Sequence, residues 1–260
     1  EQKNTEHASE GADISHRGGL SGFINLQIID ISSPVNPVVL NEYNSIPYVH
    51  DIYVENNIAY ANCGTDGFFT VDFTDATNPT ILGSMTTYEQ QGYNHSGWLD
   101  RNGQYYYMAD ETWNSDLKVV DVSNFDDMSV SATFNADQNL TTVPHNLIVR
   151  CDLLYVSYYY EGVQIFDISD PNAPTRSYYY DTSTRPNTTN YEGAWGVYPF
   201  LPSGNILVSD MQNGLFVLES ISEHECENIV SIKSPHKIYN NIILSEPMCS
   251  QLSDKMVKAF

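Results

Sequence analysis

The chain has 260 residues, 41% of them apolar, enough for one large globular domain or two small ones with a proper core. With 33 acidic against 11 basic residues its formal charge is −22, which repels phosphate backbones and anionic headgroups and excludes nucleic acid as a partner. No apolar run approaches the roughly 20 residues that span a bilayer, so no membrane span is expected.

Residues 1–23 form a polar segment that begins at Glu1, as expected after removal of a leader or for a start inside a longer precursor. Either origin implies export. From Leu26 the pattern changes, and five stretches align: "LQIIDISSPVNPVVL" from Leu26, "FFTVDFTDATNPTIL" from Phe68, "LKVVDVSNFDDMSVS" from Leu117, "VQIFDISDPNAPTRS" from Val163 and "LFVLESIS" from Leu215. Each apolar run ends in an acid, Asp30, Asp72, Asp121, Asp167 and Glu219, at intervals of 42, 49, 46 and 52 residues. Three of the five continue into a D/S-x-x-N/A-P turn, so these aspartates are expected to cap turns by accepting backbone N–H bonds. A calcium role at each would call for a D-x-D-x-D-G loop, which is absent.

A second series runs between them: "VHDIYVENNIAYANC" from Val49, "NHSGWLDRNGQYYYMAD" from Asn94, "PHNLIVRCDLLYVSYYY" from Pro144 and "AWGVYPFLPSGNILVSD" from Ala194. Each reads as a short strand, a turn rich in Asn, Asp or Gly, and a second strand rich in Tyr, Ile and Val. Helical periodicity is absent. A unit of about 45 to 50 residues therefore supplies roughly four antiparallel strands that cannot bury both faces alone, so neighbouring units must stack. The predicted fold is all-β, a propeller of four-stranded antiparallel blades over residues 24–220, about five in this chain or part of a larger ring. The first repeat has no inner pair of strands. Within the C-terminal segment 221–260, "PHKIYNNIIL" (235–244) echoes the stretch from Val49 and either completes that blade or belongs to an irregular extension, and the last residues read as a short helix.

The "LQIIDIS", "LKVVDVS" and "VQIFDIS" strands resemble LVIVD repeats. Together with "YVHDIYV", "NHSGWL", "VPHNLIV" and "GAWGVYPFLPSGNILVSDMQNGLFVL" they resemble the choice-of-anchor B proteins of bacterial surfaces over about residues 24–219. The resemblance implies a propeller displayed outside the cell, further blades before the first one here, and often a C-terminal anchor, of which no recognisable form follows residue 220. It implies little about activity.

If each "H-x-φ-x-V" stretch is an innermost strand, the first residues of those strands gather at one mouth of the channel. That position holds His50, His95, His145 and Trp195, with His236 as a further candidate. Three imidazoles could ligate zinc or a similar divalent metal with one position open, with Asp51, Asn146, Asp110 and Glu111 as supporting groups or additional ligands. The alternative is structural: each histidine donates to a carbonyl of the next blade and fixes blade spacing. Trp195 would line a cavity or plug the channel. The acidic surface also suits calcium, although it needs no function beyond solvation.

Other residues carry lesser expectations. Cys226 and Cys249 are expected to bridge in an oxidising compartment, whereas Cys63 and Cys151 lie in strand patterns and read as buried thiols. Asn94, Asn139 and Asn187 head N-x-S/T triplets. The tyrosine runs 105–107, 158–160 and 178–180 should alternate across strands and pack between blades. No G-x-S-x-G, H-E-x-x-H or Gly-rich phosphate loop is present. The leading expectation is an extracellular or cell-surface binding or assembly module for a glycan, a protein or its own copies. The competing one is a metal-dependent hydrolase or lyase with His50, His95 and His145 holding the metal and Glu111 as base, and the third a filament or coat subunit.

Overall fold

The computed structural model describes residues 24–136 and 143–221, and its strands form five antiparallel sheets. The first pairs β1 (Leu26–Asp30) with β2 (Val38–Tyr43). The second runs β3 (Asp51–Glu55), β4 (Ile58–Asn62), β5 (Phe68–Asp72) and β6 (Thr80–Met85). The third comprises β7 (Asn94–Leu99), β8 (Tyr105–Asp110), β9 (Leu117–Asp121) and β10 (Ser129–Phe134), and the fourth β11 (Leu147–Arg150), β12 (Leu153–Ser157), β13 (Val163–Asp167) and β14 (Thr175–Tyr180). The fifth has β15 (Ala194–Tyr198), β16 (Ile206–Asp210) and β17 (Gly214–Leu218). Each sheet is a blade, so five blades are present, but only three of them have four strands among the described residues. The first shows the outer pair alone and the last lacks an outer strand.

Local chemistry explains the repeat. Each apolar run forms the third strand of a blade, and in the four blades with a fourth strand that strand starts eight positions after the terminal aspartate. The interval is set by one recurring turn. Asp30, Asp72, Asp121 and Asp167 accept the backbone N–H two residues on, from Ser32, Thr74, Ser123 and Ser169, at 2.7–2.9 Å. Asn36, Asn78 and Ala173 then close the Pro-containing turns on the carbonyls of Ser33, Asp75 and Asp170. The third and fourth strands also share a bulge in every blade that has both, which adds twist and lets the outer edge curve away. At the β3–β4 hairpin Asn56 and Asn57 both take positive φ, as a two-residue primed turn requires.

Period-two burial gives each blade two apolar faces, and the cores lie between blades. Leu26, Val49, Ile52 and Val71 pack blade one on blade two, and Tyr53, Tyr60, Phe68, Leu99 and Tyr106 pack two on three. Leu117, Val119, Leu147 and Phe166 join three to four, while Leu153, Val163, Val197 and Val208 join four to five. The innermost strands follow the same order, β3 against β7, β7 against β11 and β11 against β15. Blade stacking therefore supplies the burial that no single sheet can achieve. Among the described residues no helix is long and apolar enough to cross a membrane.

Several expectations need correction. Asn94 is fully buried at the start of β7 with Nδ2 bonded to Gly67 O, so no glycan can be attached there. Tyr158, Tyr159 and Tyr160 do not alternate on a strand; β12 ends at Ser157, and all three are buried in the turn that follows. Tyr106 does pack between blades, stacked on Tyr60 and Phe68, with its hydroxyl accepting from Asn62 Nδ2 at 2.9 Å. Cys63 is the buried thiol expected, but Cys151, in the β11–β12 turn, is disulfide-bonded. That bridge competes with the expected Cys226–Cys249 pairing, whose residues lie outside the described ones, as do His236, Asn139, segment 235–244 and the C-terminal helix.

Candidate metal centre at the channel mouth

Four equivalent positions converge where the innermost strands begin. His50 immediately precedes β3 and His145 lies two residues before β11, and their backbone amides open the ladders by donating to Asn62 O at 2.8 Å and Ser157 O at 2.9 Å. His95 and Trp195 sit at bulges in β7 and β15, where the pairing skips one residue. A bulge re-aims the extra side chain, and here it turns both rings to the mouth. The rings form a continuous row: His50 to His95 4.3 Å between centroids, His95 to His145 4.3 Å and His145 to Trp195 4.2 Å.

One polar contact fixes the tautomer of His145. His145 Nδ1 lies 2.6 Å from Trp195 O, and since a carbonyl only accepts, Nδ1 carries the proton and Nε2 the lone pair. Asn146 adds a bond from Nδ2 to the same carbonyl at 3.2 Å. His95 Nδ1 is buried without a hydrogen-bond partner, and so is His145 Nε2. The packing reading thus holds for one nitrogen of His145. The second nitrogen needs another explanation.

Both unpartnered nitrogens face Glu111, which follows β8 in blade three. His95 Nδ1 is 3.5 Å from Glu111 Oε2 and His145 Nε2 is 4.0 Å from Oε1. One ligand atom from each of His95, Glu111 and His145 can be chosen so that all lie within 4.8 Å of one another. Burial holds His95 well below the ordinary imidazole value, with the neighbouring His145 and His50 adding to the effect. Burial likewise lowers His145 to about 4 against the pull of its bond to Trp195 O. Burial raises the Glu111 carboxyl, which its hydrogen bond from Tyr159 partly offsets. Two imidazoles that burial keeps neutral therefore face one carboxylate in a desolvated site, His145 with its Nε2 lone pair.

The other candidates fall into place around this group. His50 stacks on His95 but lies outside the three-residue ligand set; its Nδ1 is 3.0 Å from Tyr93 Oη. Glu111 lies close enough to His95 and His145 to belong to the same candidate group. Asp110 is no part of the mouth: fully buried, it accepts from Lys118 Nζ at 2.8 Å, Tyr88 Oη at 2.9 Å and Gly92 N at 2.9 Å. Successive residues of a strand point to opposite faces, so Asp110 and Glu111 part company. Asp51 pairs with Asn62 across β3–β4. Trp195 is 46% exposed and so rims the mouth rather than plugging it.

One member of the site carries no signal in its own residue type. Tyr159 donates its hydroxyl to Glu111 Oε1, and its ring packs on His145 at 4.9 Å and near Trp195 at 6.1 Å. Aligning "NCGTDG" (62–67) with "SYYYEG" (157–162) sets Tyr159 opposite Gly64, which is where the sequence holds its one clue.

Comparison with known proteins agrees with the fold. The LVIVD repeat profile matches residues 24–45, 101–136 and 145–182. The chain is similar to the Pseudomonas aeruginosa periplasmic gluconolactonase PpgL, with TM-score 0.57 and 13% identity over 74% of this chain and 58% of that one. It is also similar to the β-propeller domain of Myceliophteria thermophila Cps50 (Swd1), with TM-score 0.52 and 12% identity over 75% of this chain and 64% of that one. A functionally unknown protein from Desulfotomaculum acetoxidans gives TM-score 0.52 and 10% identity over 72% and 56%. At these identities the likeness concerns the fold alone, and the chain spans about three fifths of those proteins. Among curated proteins none matches the sequence.

Proposed function

We propose that this LVIVD-repeat propeller is a metal-binding module displayed outside the cell, holding one divalent transition ion through His95 Nδ1, His145 Nε2 and Glu111. One observation carries the reading: two histidine nitrogens on rings 7% and 1% exposed have no hydrogen-bond partner, and both face the same carboxylate. A lone pair set against an anion is repulsive unless a positive species lies between them, and a buried unsatisfied acceptor costs about 1–3 kcal/mol. A cation removes both penalties. Zinc binds nitrogen and carboxylate oxygen at about 2.0–2.2 Å, which puts tetrahedral ligand atoms roughly 3.4 Å apart. His95 Nδ1 stands 3.5 Å from Glu111 Oε2, close to that separation, and the three candidate ligand atoms lie within 4.8 Å of one another, so closing on an ion needs a contraction of about an ångström or less. Two imidazoles suit zinc rather than calcium, which takes oxygen ligands.

Three protein ligands with a fourth position open is the arrangement of catalytic rather than structural zinc, and this count favours metal-dependent hydrolysis as the second reading. The exposed Trp195 beside the ligands gives a glycan or protein partner a surface to stack on, which suits the binding reading. Elemental analysis after zinc loading and dialysis tests the proposal. About one equivalent is expected in the wild type and under a tenth in His145→Ala. A wild type that retains under a tenth of an equivalent would leave Glu111 sharing a proton with a histidine and would overturn the metal reading.

A further inference from the structure

We infer that Tyr159 sets the metal preference of this site. Its hydroxyl occupies Glu111 Oε1 and leaves the carboxylate one free oxygen, which suits a four-coordinate ion with nitrogen ligands over an ion that seeks both oxygens. The inference rests on the metal-binding reading above and identifies the residue that decides which ion is held.

The backbone at Tyr159 points to a function. Blades two and four leave their second strands by the same route. Gly64 exchanges two backbone hydrogen bonds with Asn94, at 3.0 and 3.1 Å, and Tyr159 exchanges two with Ala194, at 3.2 and 2.9 Å. Both residues lie in the left-handed region, Gly64 at φ +57 and Tyr159 at φ +43. Glycine adopts that conformation freely, whereas a bulky aromatic residue there is strained. The bridge to the next blade needs no side chain, since Gly64 makes it without one. Nor can the neighbouring backbone give way: a Cβ on Gly193 would lie 2.2 Å from Tyr159 O. Strained side chains persist where the surroundings over-determine them, and they cluster at functional sites.

The side chain uses that position fully. Its ring is packed between His145 at 4.9 Å and Tyr191 at 5.4 Å, so the phenol cannot swing away from Glu111. A carboxylate with one oxygen so held offers the other to a metal singly. Manganese and calcium favour carboxylate and carbonyl oxygens, with calcium often taking both oxygens of one carboxylate, while zinc is satisfied by one oxygen and two imidazoles.

The test is calorimetric titration of the metal-free full chain with zinc and, separately, manganese(II), for the wild type, Tyr159→Phe and Tyr159→Gly. Groups that orient a metal ligand typically contribute ~10–100-fold in affinity. Tyr159→Phe should therefore bind zinc ~10–100-fold more weakly. Manganese should weaken less or not at all, so the zinc-to-manganese ratio falls by about 10-fold or more. Tyr159→Gly should show the same fall in ratio with a lower thermal midpoint of the metal-free form, because loss of the buried ring outweighs the strain removed. A Tyr159→Phe protein that keeps both affinities, or loses both in parallel, would overturn the inference while leaving the site intact. A wild type that binds neither metal would overturn this inference together with the reading beneath it.

Discussion

At the outer turn of the first four blades one contact recurs: Asp30, Asp72, Asp121 and Asp167 each accept the amide two residues on. At the inner mouth the equivalent positions carry His50, His95, His145 and Trp195, and the histidines meet different groups, Tyr93, Glu111 and Trp195 O respectively. The strand exits diverge in the same way, with Gly64 in blade two, Tyr159 in blade four and Glu111 at the end of β8 in blade three. The repeated contact serves folding, because each unit must present the same edge to its neighbour. The unrepeated residues serve the site, because a ligand needs unlike groups aimed at one point.

The comparison can be broken most severely inside blade three. Lys118 and Asp110, both fully buried, form an ion pair that blade three alone carries among the described residues. Lys118→Ala leaves a buried carboxylate without its cation and should cost about 3–5 kcal/mol in urea unfolding, while Lys118→Met with Asp110→Asn should recover most of that. A loss under about 1 kcal/mol would place this pair with weak surface bridges.

Acid should act next, through the histidines of the mouth. His145 titrates at about 4 in the fold against an ordinary 6.5, so between those values the unfolded chain binds the extra proton. Stability of the metal-free protein therefore falls as pH drops from about 6.5 to about 4 and rises in the opposite direction. His95 works the same way, while Glu111, raised by burial, opposes it. In His145→Gln the slope of unfolding free energy against pH should flatten across this window. An unchanged slope would show that His145 does not report the mouth.

The smallest effects belong to the outer turns. Asp121→Ala should cost about 1 kcal/mol, the worth of one turn hydrogen bond, and Asp72→Ala and Asp167→Ala should fall within a few tenths of it. Values scattered over more than about 2 kcal/mol would mean that the repeats are not energetically equivalent.

Much of the outer architecture was legible because its causes are local. An apolar run alternating across a strand, a terminal aspartate and a Pro-containing turn lie within fifteen residues of one another, as in "VQIFDISDPNAPTRS". The mouth was legible only by equivalence: His50, His95 and His145 stood out because each opens a similar stretch, yet the group whose ligand atoms come within 4.8 Å of one another is His95, Glu111 and His145. Asp110 and Glu111 were indistinguishable as neighbours until the strand direction separated them. Tyr159 looked like one tyrosine of a run, and its importance lies in a backbone conformation that residue type conceals. Cys151 read as a buried thiol because a bridge depends on a partner distant in the chain.

By itself the sequence determined the strands, their period, the capped turns and the need for blades to stack, since these follow from which atoms lie within a few residues of each other. Which nitrogen meets which oxygen was decided only in three dimensions. Bulges at His95 and Trp195 re-aim those side chains, and strand ends from blades about fifty residues apart meet at one mouth, where burial strips away the water that would otherwise have served their polar atoms.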